Sequence, residues 1–439
     1  MAEPALTPDA LWHDLEPLLG VGRLWLAYSG GLDSTVLLHL AVALRGRLDR
    51  ELVAVHIDHG LDRRSRGWMC LCRDQCERLG VALTTHQLHL RPQPGESLEA
   101  QAREARYATF AALLDDGDVL ATAHHRDDQV ETLLLALLRG SGVHGLAAMP
   151  MRAPLGRGHL VRPLLRVARA SLARYAVRER LCWITDPSNA DLGLDRNLLR
   201  HRVVPLLRER WPNLDRTIAR SAGHCATSAR LLDELADDLL AGLSGSRPGT
   251  LSIRALGELT EARRLLVLRR WLVRQGFPRP SSDRLRRILS ELVPARRDRS
   301  PRIAWSGCQV RRFRDDLYAL APLPTLPHRP IPWNGSEPLD LPGGLGRLEL
   351  SDQESGAAER CVCFRPAGVR CRSGAGPAKT LKNLFQEAGI PDWLRPYVPV
   401  LMIDGRVVAV AGVIACDPLF GQLRWHGHPW QRFGLFATE

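Results

Sequence analysis

A chain of 439 residues exceeds what one hydrophobic core usually serves, so two or three domains are expected. Hydrophobic residues at 45% and charged residues at 25% exclude a disordered chain, and no apolar run is long enough to span a bilayer. With Lys+Arg at 60 against Asp+Glu at 48, the formal charge of +12 suits a polyanionic partner, because phosphate contacts dominate nucleic-acid affinity.

The opening MAEPALTPDALWHDLEPLLG lacks a positive segment followed by an apolar one, so a cytoplasmic location without membrane contact is expected. The 10 cysteines then read as reduced thiols rather than a disulfide framework. Cys70, Cys72 and Cys76 form no CxxC pair and fall in a helical pattern, which favours buried or half-buried helix cysteines over a metal site.

LWLAYS, residues 24 to 29, fits a buried parallel strand, and TVLLHLAVAL, residues 35 to 44, fits a helix. Between them Gly30 and Gly31 permit a sharp turn and close approach to a ligand, while Ser29, Ser34 and Thr35 supply hydroxyls. Backbone N–H groups at the following helix start would face an anion, so the turn reads as a phosphate cradle. No lysine follows the glycines as GxxxxGK[ST] requires, and GxGxxG is absent. SGGLDS instead resembles the PP-loop of the ATP pyrophosphatase superfamily, which implies ATP as substrate and a role for Asp33 through Mg²⁺ or near the α-phosphate. The plainer alternative is a glycine turn capped by Ser and Asp.

Further strands are predicted at residues 51 to 61, 81 to 90 and 118 to 125, with helical patterns between them. Such alternation implies a parallel sheet with its ligand at the carboxyl ends of the strands. In the helix predicted over residues 96 to 114, Arg103 and Arg106 share a face; they suit a nucleotide phosphate, or simply a solvated surface. His124, His125, Asp128 and Glu131 then crowd the passage from the fourth strand to a helix beginning near Asp127. Their order is no zinc pattern, and the carboxylates better suit magnesium or a substrate ammonium.

SGGLDS, VHIDHGL, AREARY, TAHHRDDQVETLLLALLRGSGVHGL, RPLL and DPSNADLGLDRNLLRHRVVPLL follow one another between residue 21 and about residue 210. Together they resemble the tRNA(Ile)-lysidine synthetase family. The resemblance implies adenylation of the C2 oxygen of the wobble cytidine in a CAU anticodon of isoleucine tRNA. Attack by the ε-amine of free L-lysine and release of AMP would follow. It also implies that Ser29, Gly30, Gly31, Leu32, Asp33 and Ser34 bind ATP and that Asp33 serves adenylation. Arg106 and Arg200 would stand around nucleotide and substrate, and Asp128, assisted by Glu131, would take lysine. Either carboxylate suits the general base, and the choice stays open. Asp186 and Asn189 read as loop organisers, His201 as structural or functional alike, and His56 and His59 as ordinary strand-end residues.

From about residue 215 the pattern becomes amphipathic and helical, with basic edges in RRLLVLRRWLVR and RLRR. ALAPLPTLPHRPIPW, residues 319 to 333, reads as a linker. A last domain of short strands surrounds AKTLKNLFQEAGIP, which resembles the family's C-terminal helix segment up to Trp393; the preceding RCRSGAGPAKT departs from the usual pattern. This segment holds Lys379 and Lys382, the only lysines, which are expected to contact tRNA phosphate.

The expected fold is therefore α/β: a parallel-sheet PP-loop domain over 1–214, a helical middle domain over 215–318, a Pro-rich linker over 319–334 and a small α+β tRNA-binding domain over 335–439. Oligomeric state is not written in the sequence, and a homodimer is one arrangement kept open. The nearest rival is a PP-loop tRNA thiolase, which generally needs paired cysteines. A small-molecule synthetase leaves the basic charge unexplained, and a noncatalytic RNA-binding protein leaves the phosphate loop and Asp128 unexplained.

Overall fold

The computed structural model describes residues 5–58, 60, 65–88, 98–296, 300–350, 360–366, 369–372, 377–417 and 423–436. Two compact units divide at Arg230 and Leu231. His59, the ends of the helix predicted from residue 96 and of the strand predicted to residue 90, and much of RCRSGAGPAKT lie outside the described residues.

The first unit is built on a six-stranded sheet: β1 (Leu24–Ala27), β2 (Leu52–Asp58), β3 (Ala82–Gln87), β4 (Val119–Ala121), β5 (Arg152–Leu155) and β6 (Gly158–Val161), in the order β3-β2-β1-β4-β6-β5. Adjacent strands from β3 to β6 pair in parallel, and β5 closes one edge antiparallel to β6. Strand β1 is central and apolar on both faces. Leu24 and Leu26 enter one core with Val36 and Leu40, while Trp25 enters the other with Val53, Phe110 and Leu120. The β5–β6 hairpin escapes sequence reading because RAPLGRGHLV is short and broken by Pro and Gly; Gly156 takes φ +56° in its turn.

Helices α1 (Pro8–Leu15), α2 (Leu32–Ala43), α3 (Ser65–Arg78), α4 (Leu98–Leu113) and α5 (Arg126–Leu138) account for most of the remaining layers up to that point. Cys72 and Cys76 on α3 are buried in the core beneath β1, and Cys70 is exposed. Burial pushes the Cys72 thiol up to about 12, which makes it a packing group rather than a nucleophile.

The first unit does not stop at residue 214. Its limit falls inside the single helix Leu214–Ala241, whose unbroken amphipathic pattern carries the chain from one unit into the next. The second unit has the expected helices, Glu261–Arg274 and Ser282–Arg287 among them. It adds a four-stranded antiparallel sheet of Leu251–Ser252, Asp316–Leu320, Cys308–Phe313 and Arg302–Trp305. These strands are short, and Arg302–Trp305 and Cys308–Phe313 carry arginines, so their alternation is weak in the sequence.

The segment 319–334 is not a free linker. Ala319 and Leu320 finish a strand, and Trp333 is buried in one core with Trp393, Trp425 and Phe433. Proline density hid this, although Leu323, Leu326 and Ile331 also pack against that core. The thiols are also not all reduced: Cys371 and Cys416, 45 residues apart, form a disulfide with Cα atoms 5.4 Å apart. Folding of the C-terminal strands brings them together, a proximity that spacing along the chain does not reveal. The other cysteines are free.

Candidate active site

The ATP-loop candidates sit where β1 ends. Gly30 takes φ +78°, and a Cβ there would stand 2.5 Å from Ile184 Cδ1 and 2.7 Å from Cys72 Sγ. Only glycine fits, for backbone and for space alike. Ser29 and Ser34 close the turn with their hydroxyls 3.1 Å apart, and Ser34 Oγ donates to the Gly31 carbonyl at 3.0 Å. Helix α2 starts with Gly31 as its N-cap, so Leu32, Asp33 and Ser34 lie in the first turn and their N–H groups form the helix's positive end. Asp33 Oδ1 is buried without a hydrogen-bond partner.

Strand β4 gives way to the segment Thr122–His125, which leads into α5. His125 is the N-cap with φ −125°, and its backbone N–H donates to Asp128 Oδ2 at 2.9 Å. That bond fixes the Asp128 side chain over the first turn of the helix. The His125 ring is 1% exposed; its Nε2 lies 3.6 Å from Asp33 Oδ2 and 3.4 Å from Asp128 Oδ2. Burial alone would lower its pKa, but the nearby carboxylates of Asp33, Asp128 and Asp127 outweigh it and raise the pKa. Burial tends to raise the Asp128 pKa, and the charges of His125 and Arg196 with the His125 backbone N–H hold it below the usual value.

Asp128 and Glu131 stand one turn apart and are both buried. Arg196 donates to Asp128 Oδ1 at 2.8 Å and to Glu131 Oε2 at 2.6 Å. Arg200 donates to Glu131 Oε1 at 2.6 Å and to Asp128 Oδ1 at 3.1 Å. The two arginines come from the helix Asp195–Leu198 and the π-helical stretch Leu199–Val203 that continues it. Asn197, buried between them in sequence, donates to the carbonyls of Ser188 and Asp191 and so ties the DPSNAD loop to this helix. Asp186 caps that loop by accepting from the Ser188 N–H at 2.8 Å, and His201 Nε2 sits 2.8 Å from the Asn189 carbonyl oxygen.

A cavity of about 460 Å³ is lined by Ser29, Asp33, Arg106, Asp128, Arg196 and Arg200 among others. Its two walls differ in charge. Asp33 and Asp128 form an acidic side, which Arg196 and Arg200 partly cover. Arg103 and Arg106 supply a cationic side, their Cζ atoms 5.0 and 5.5 Å from the Tyr107 ring centroid. Burial pulls the Arg106 pKa down, Tyr107 partly offsets this, and the charges of Arg103 and Arg196 lower it further. A guanidinium remains charged under any ordinary condition, so this one is poised for an anion. His124 also lines the cavity, with Nδ1 2.8 Å from Thr122 Oγ1; burial depresses its pKa to about 3 and keeps the ring neutral.

The structure thus gathers Ser29, Gly31, Asp33, Ser34, Arg106, Asp128 and Arg200 around one cavity, while Glu131 stands just behind, held by both arginines. Sequence reading missed Arg196, whose signal was its spacing of four from Arg200. It also left His125 without a role. Lys379 and Lys382 lie in the second unit: Lys379 Nζ pairs with Glu387 at 2.7 Å, and Lys382 lines a pocket with Arg365, Phe385 and Arg395. Among the described residues no group of three or more His, Cys, Asp or Glu side chains is arranged to hold a metal ion.

A parallel sheet whose central strand opens into a glycine-serine turn, with a carboxylate in the next helix's first turn, defines an ATP-using PP-loop domain. Residues 11–207 match the PP-loop domain family, 251–318 the TilS substrate binding domain and 361–427 the TilS substrate C-terminal domain. The tRNA(Ile)-lysidine synthase of Pectobacterium atrosepticum is 42% identical over 420 residues, 94% of each chain. That of Methylococcus capsulatus is 44% identical over 398 residues, 88% of this chain and 90% of the relative. The Alkalilimnicola ehrlichii protein of the same name is 44% identical over 421 residues, 93% of this chain and 94% of the relative. The chain belongs to the tRNA(Ile)-lysidine synthase family.

Proposed function

We propose that this chain is a carbon-nitrogen ligase that joins free L-lysine to C2 of the wobble cytidine in the CAU anticodon of isoleucine tRNA, consuming ATP. The observation that carries the reading is one cavity lined by a PP-loop, the arginines Arg103 and Arg106 and the Asp128 carboxylate, with Glu131 just behind it, in a chain of this family. The cytidine O2 attacks the α-phosphorus of ATP, the bond to the diphosphate breaks, and an adenylated cytidine forms. The lysine ε-nitrogen then attacks C2, the C2–O bond breaks, and AMP departs with its electron pair. The attacking nitrogen loses its protons to a carboxylate or water.

The turn from Ser29 to Ser34 holds the phosphates by backbone N–H groups and hydroxyls, and Arg106 faces the charge that develops on them. Asp33, with Oδ1 buried, without a hydrogen-bond partner and 4.0 Å from Arg169 Nε, is the residue that would hold a Mg²⁺ ion. When bound, such an ion would neutralise phosphate charge. Asp128 and Glu131 attract the lysine ammonium, which must displace or share the guanidinium contacts already there. Lys382 and its basic neighbours contribute to holding the tRNA through phosphate. The thiolase alternative finds no support in the cavity, since Cys72 is sealed beneath the loop and strongly shifted against ionisation.

The test is incorporation of labelled lysine into an unmodified CAU-anticodon isoleucine tRNA, with and without ATP, while AMP is followed. ATP-dependent incorporation matched by AMP supports the reading. AMP release without incorporation moves the assignment to another nucleophile. Within the reaction, Asp33→Asn is expected to impair adenylation more than lysine use, and Asp128→Asn the reverse.

A further inference from the structure

The ATP loop and the carboxylates proposed for lysine come from different strand ends, β1 and β4, and something must set the distance between them. Asp33 is contacted by His125 and Arg169, and Asp128 by His125, Arg196 and Arg200. Among the described residues, the side chain common to both sets is His125. Its ring is fully enclosed and its backbone is fixed as the N-cap of α5. Behind it, Nδ1 faces Asp127 Oδ2 at 3.7 Å; Asp127 accepts from the Arg169 N–H at 2.8 Å and from Arg208 at 2.5 Å. Arg208 in turn pairs with Asp215 at 2.9 Å. An anchored carboxylate therefore stands behind the ring at ion-pair distance, without a hydrogen bond to Nδ1, while the other nitrogen lies between the two carboxylates of the cavity.

We propose that His125 is a positioning residue that holds Asp33 and Asp128 in one arrangement, so that adenylation and lysine attack are served by a single preset geometry. This rests on the assignment of Asp33 to the first half-reaction and Asp128 to the second. Without the ring, Asp128 keeps the His125 backbone N–H at 2.9 Å and the two arginines, and of the contacts above Asp33 keeps only Arg169 at 4.0 Å, so the side chain that links the two carboxylates is lost. A displacement near 1 Å costs about a hundredfold in rate, so both halves must suffer together. An enclosed N-cap histidine with a merely structural role would instead weaken the fold and leave the ratio of the half-reactions to substrate affinity unchanged.

The experiment compares His125→Ala with His125→Gln, whose amide nitrogen reaches about as far as Nε2. Adenylation is read as diphosphate release with tRNA and no lysine, and lysine use as kcat and KM in the complete reaction. His125→Ala is expected to slow adenylation by about tenfold or more and to raise the lysine KM by a similar factor, with the ATP KM little changed. His125→Gln is expected to recover most of both. If His125→Ala fails to fold, His125→Asn, whose amide is too short to bridge, takes its place with the same expectation. The proposal is overturned if only one half-reaction is impaired, or if the Gln variant is as impaired as the Ala one. Asp33→Asn and Asp128→Asn run alongside: if they do not separate the two half-reactions, the assignment of those carboxylates fails, whatever His125 does.

Discussion

Arg196 and Arg200, four residues apart, both donate to a single oxygen, Asp128 Oδ1, at 2.8 and 3.1 Å. Each also binds Glu131, so two carboxylates and two guanidiniums form a closed square at the edge of the cavity. Charge balance makes burial tolerable here, and removing one member should be felt by all.

Glu131→Gln keeps the shape and removes one charge. An amide N–H then faces a guanidinium N–H, and Arg196 and Arg200 are left half-buried with one carboxylate between them. Because both arginines keep some water contact, a loss of about 2 kcal/mol is expected rather than the full cost of a buried broken pair. The lysine KM should rise about tenfold as the local negative charge falls. Thermal denaturation and a lysine titration check both; an unchanged melting temperature would remove the square's structural role.

Gly30→Ala tests the ATP loop. At the native backbone alanine would both hold an unfavourable positive φ and press its methyl into Ile184 and Cys72, so the loop must shift. The expected outcome is a large rise in ATP KM, tenfold or more by the rule of about 1.4 kcal/mol per decade, with a destabilisation of about 1–3 kcal/mol. ATP titration monitored by AMP release reads the first effect. Wild-type ATP affinity in the variant would mean that phosphate is bound elsewhere.

The site's acidic and glycine residues were legible because their chemistry is local: SGGLDS and HHRDDQVET each place their groups within about one turn of helix. Arg196 was not, since an arginine four before another arginine on a helix usually marks a solvated face, and only the fold shows two buried carboxylates opposite. His125 was equally silent, its meaning depending on Asp33, 92 positions earlier in the chain. At the fold level the central parallel strands were readable from their unbroken apolar runs. The middle sheet was not, because RIAW, CQVRRF and DLYAL are short, and Arg302, Arg311 and Arg312 blur the apolar alternation of the first two. The proline-rich segment misled for a different reason. Composition reports that a chain cannot be helical there, not whether a tryptophan at its end is buried.

Arg208 joins Asp127 to Asp215 and predicts an acid-dependent share of stability. Burial tends to raise the Asp127 pKa, yet the Arg169 N–H, His125 and Arg208 prevail and hold it below the ordinary value. A depressed folded pKa contributes stability that is complete above the unfolded carboxylate pKa and is lost as pH falls through the lower folded one. Arg208→Leu should therefore cost about 1–2 kcal/mol at neutral pH, discounted because Arg208 is 35% exposed. It should also make the decline of stability below pH ~4 shallower. Denaturant midpoints between neutral and acid pH would show it, and an acid decline as steep as in the wild type would contradict it.

His428 gives the same sign in the second unit by a different route, a penalty on its own protonation. It is 4% exposed, stacks on Trp425 at 4.1 Å between ring centroids, and neither ring nitrogen has a hydrogen-bond partner. Burial, and secondarily His426, depresses its pKa from 6.5 to about 4. Between these values the unfolded chain binds the proton and the folded one does not, so stability falls as pH drops from about 6.5 to about 4 and levels off below. The shift corresponds to about 3 kcal/mol, an upper figure because a protonated ring would gain some cation–π attraction from Trp425. His428→Phe retains the stacking surface and removes the titration. Urea midpoints for the second unit at pH 7 and pH 4.5 should then differ less in the variant than in the wild type. Equal differences would mean that the ring already exchanges protons with solvent in the folded state, and that its enclosure by Trp425, Trp430 and Phe436 opens readily.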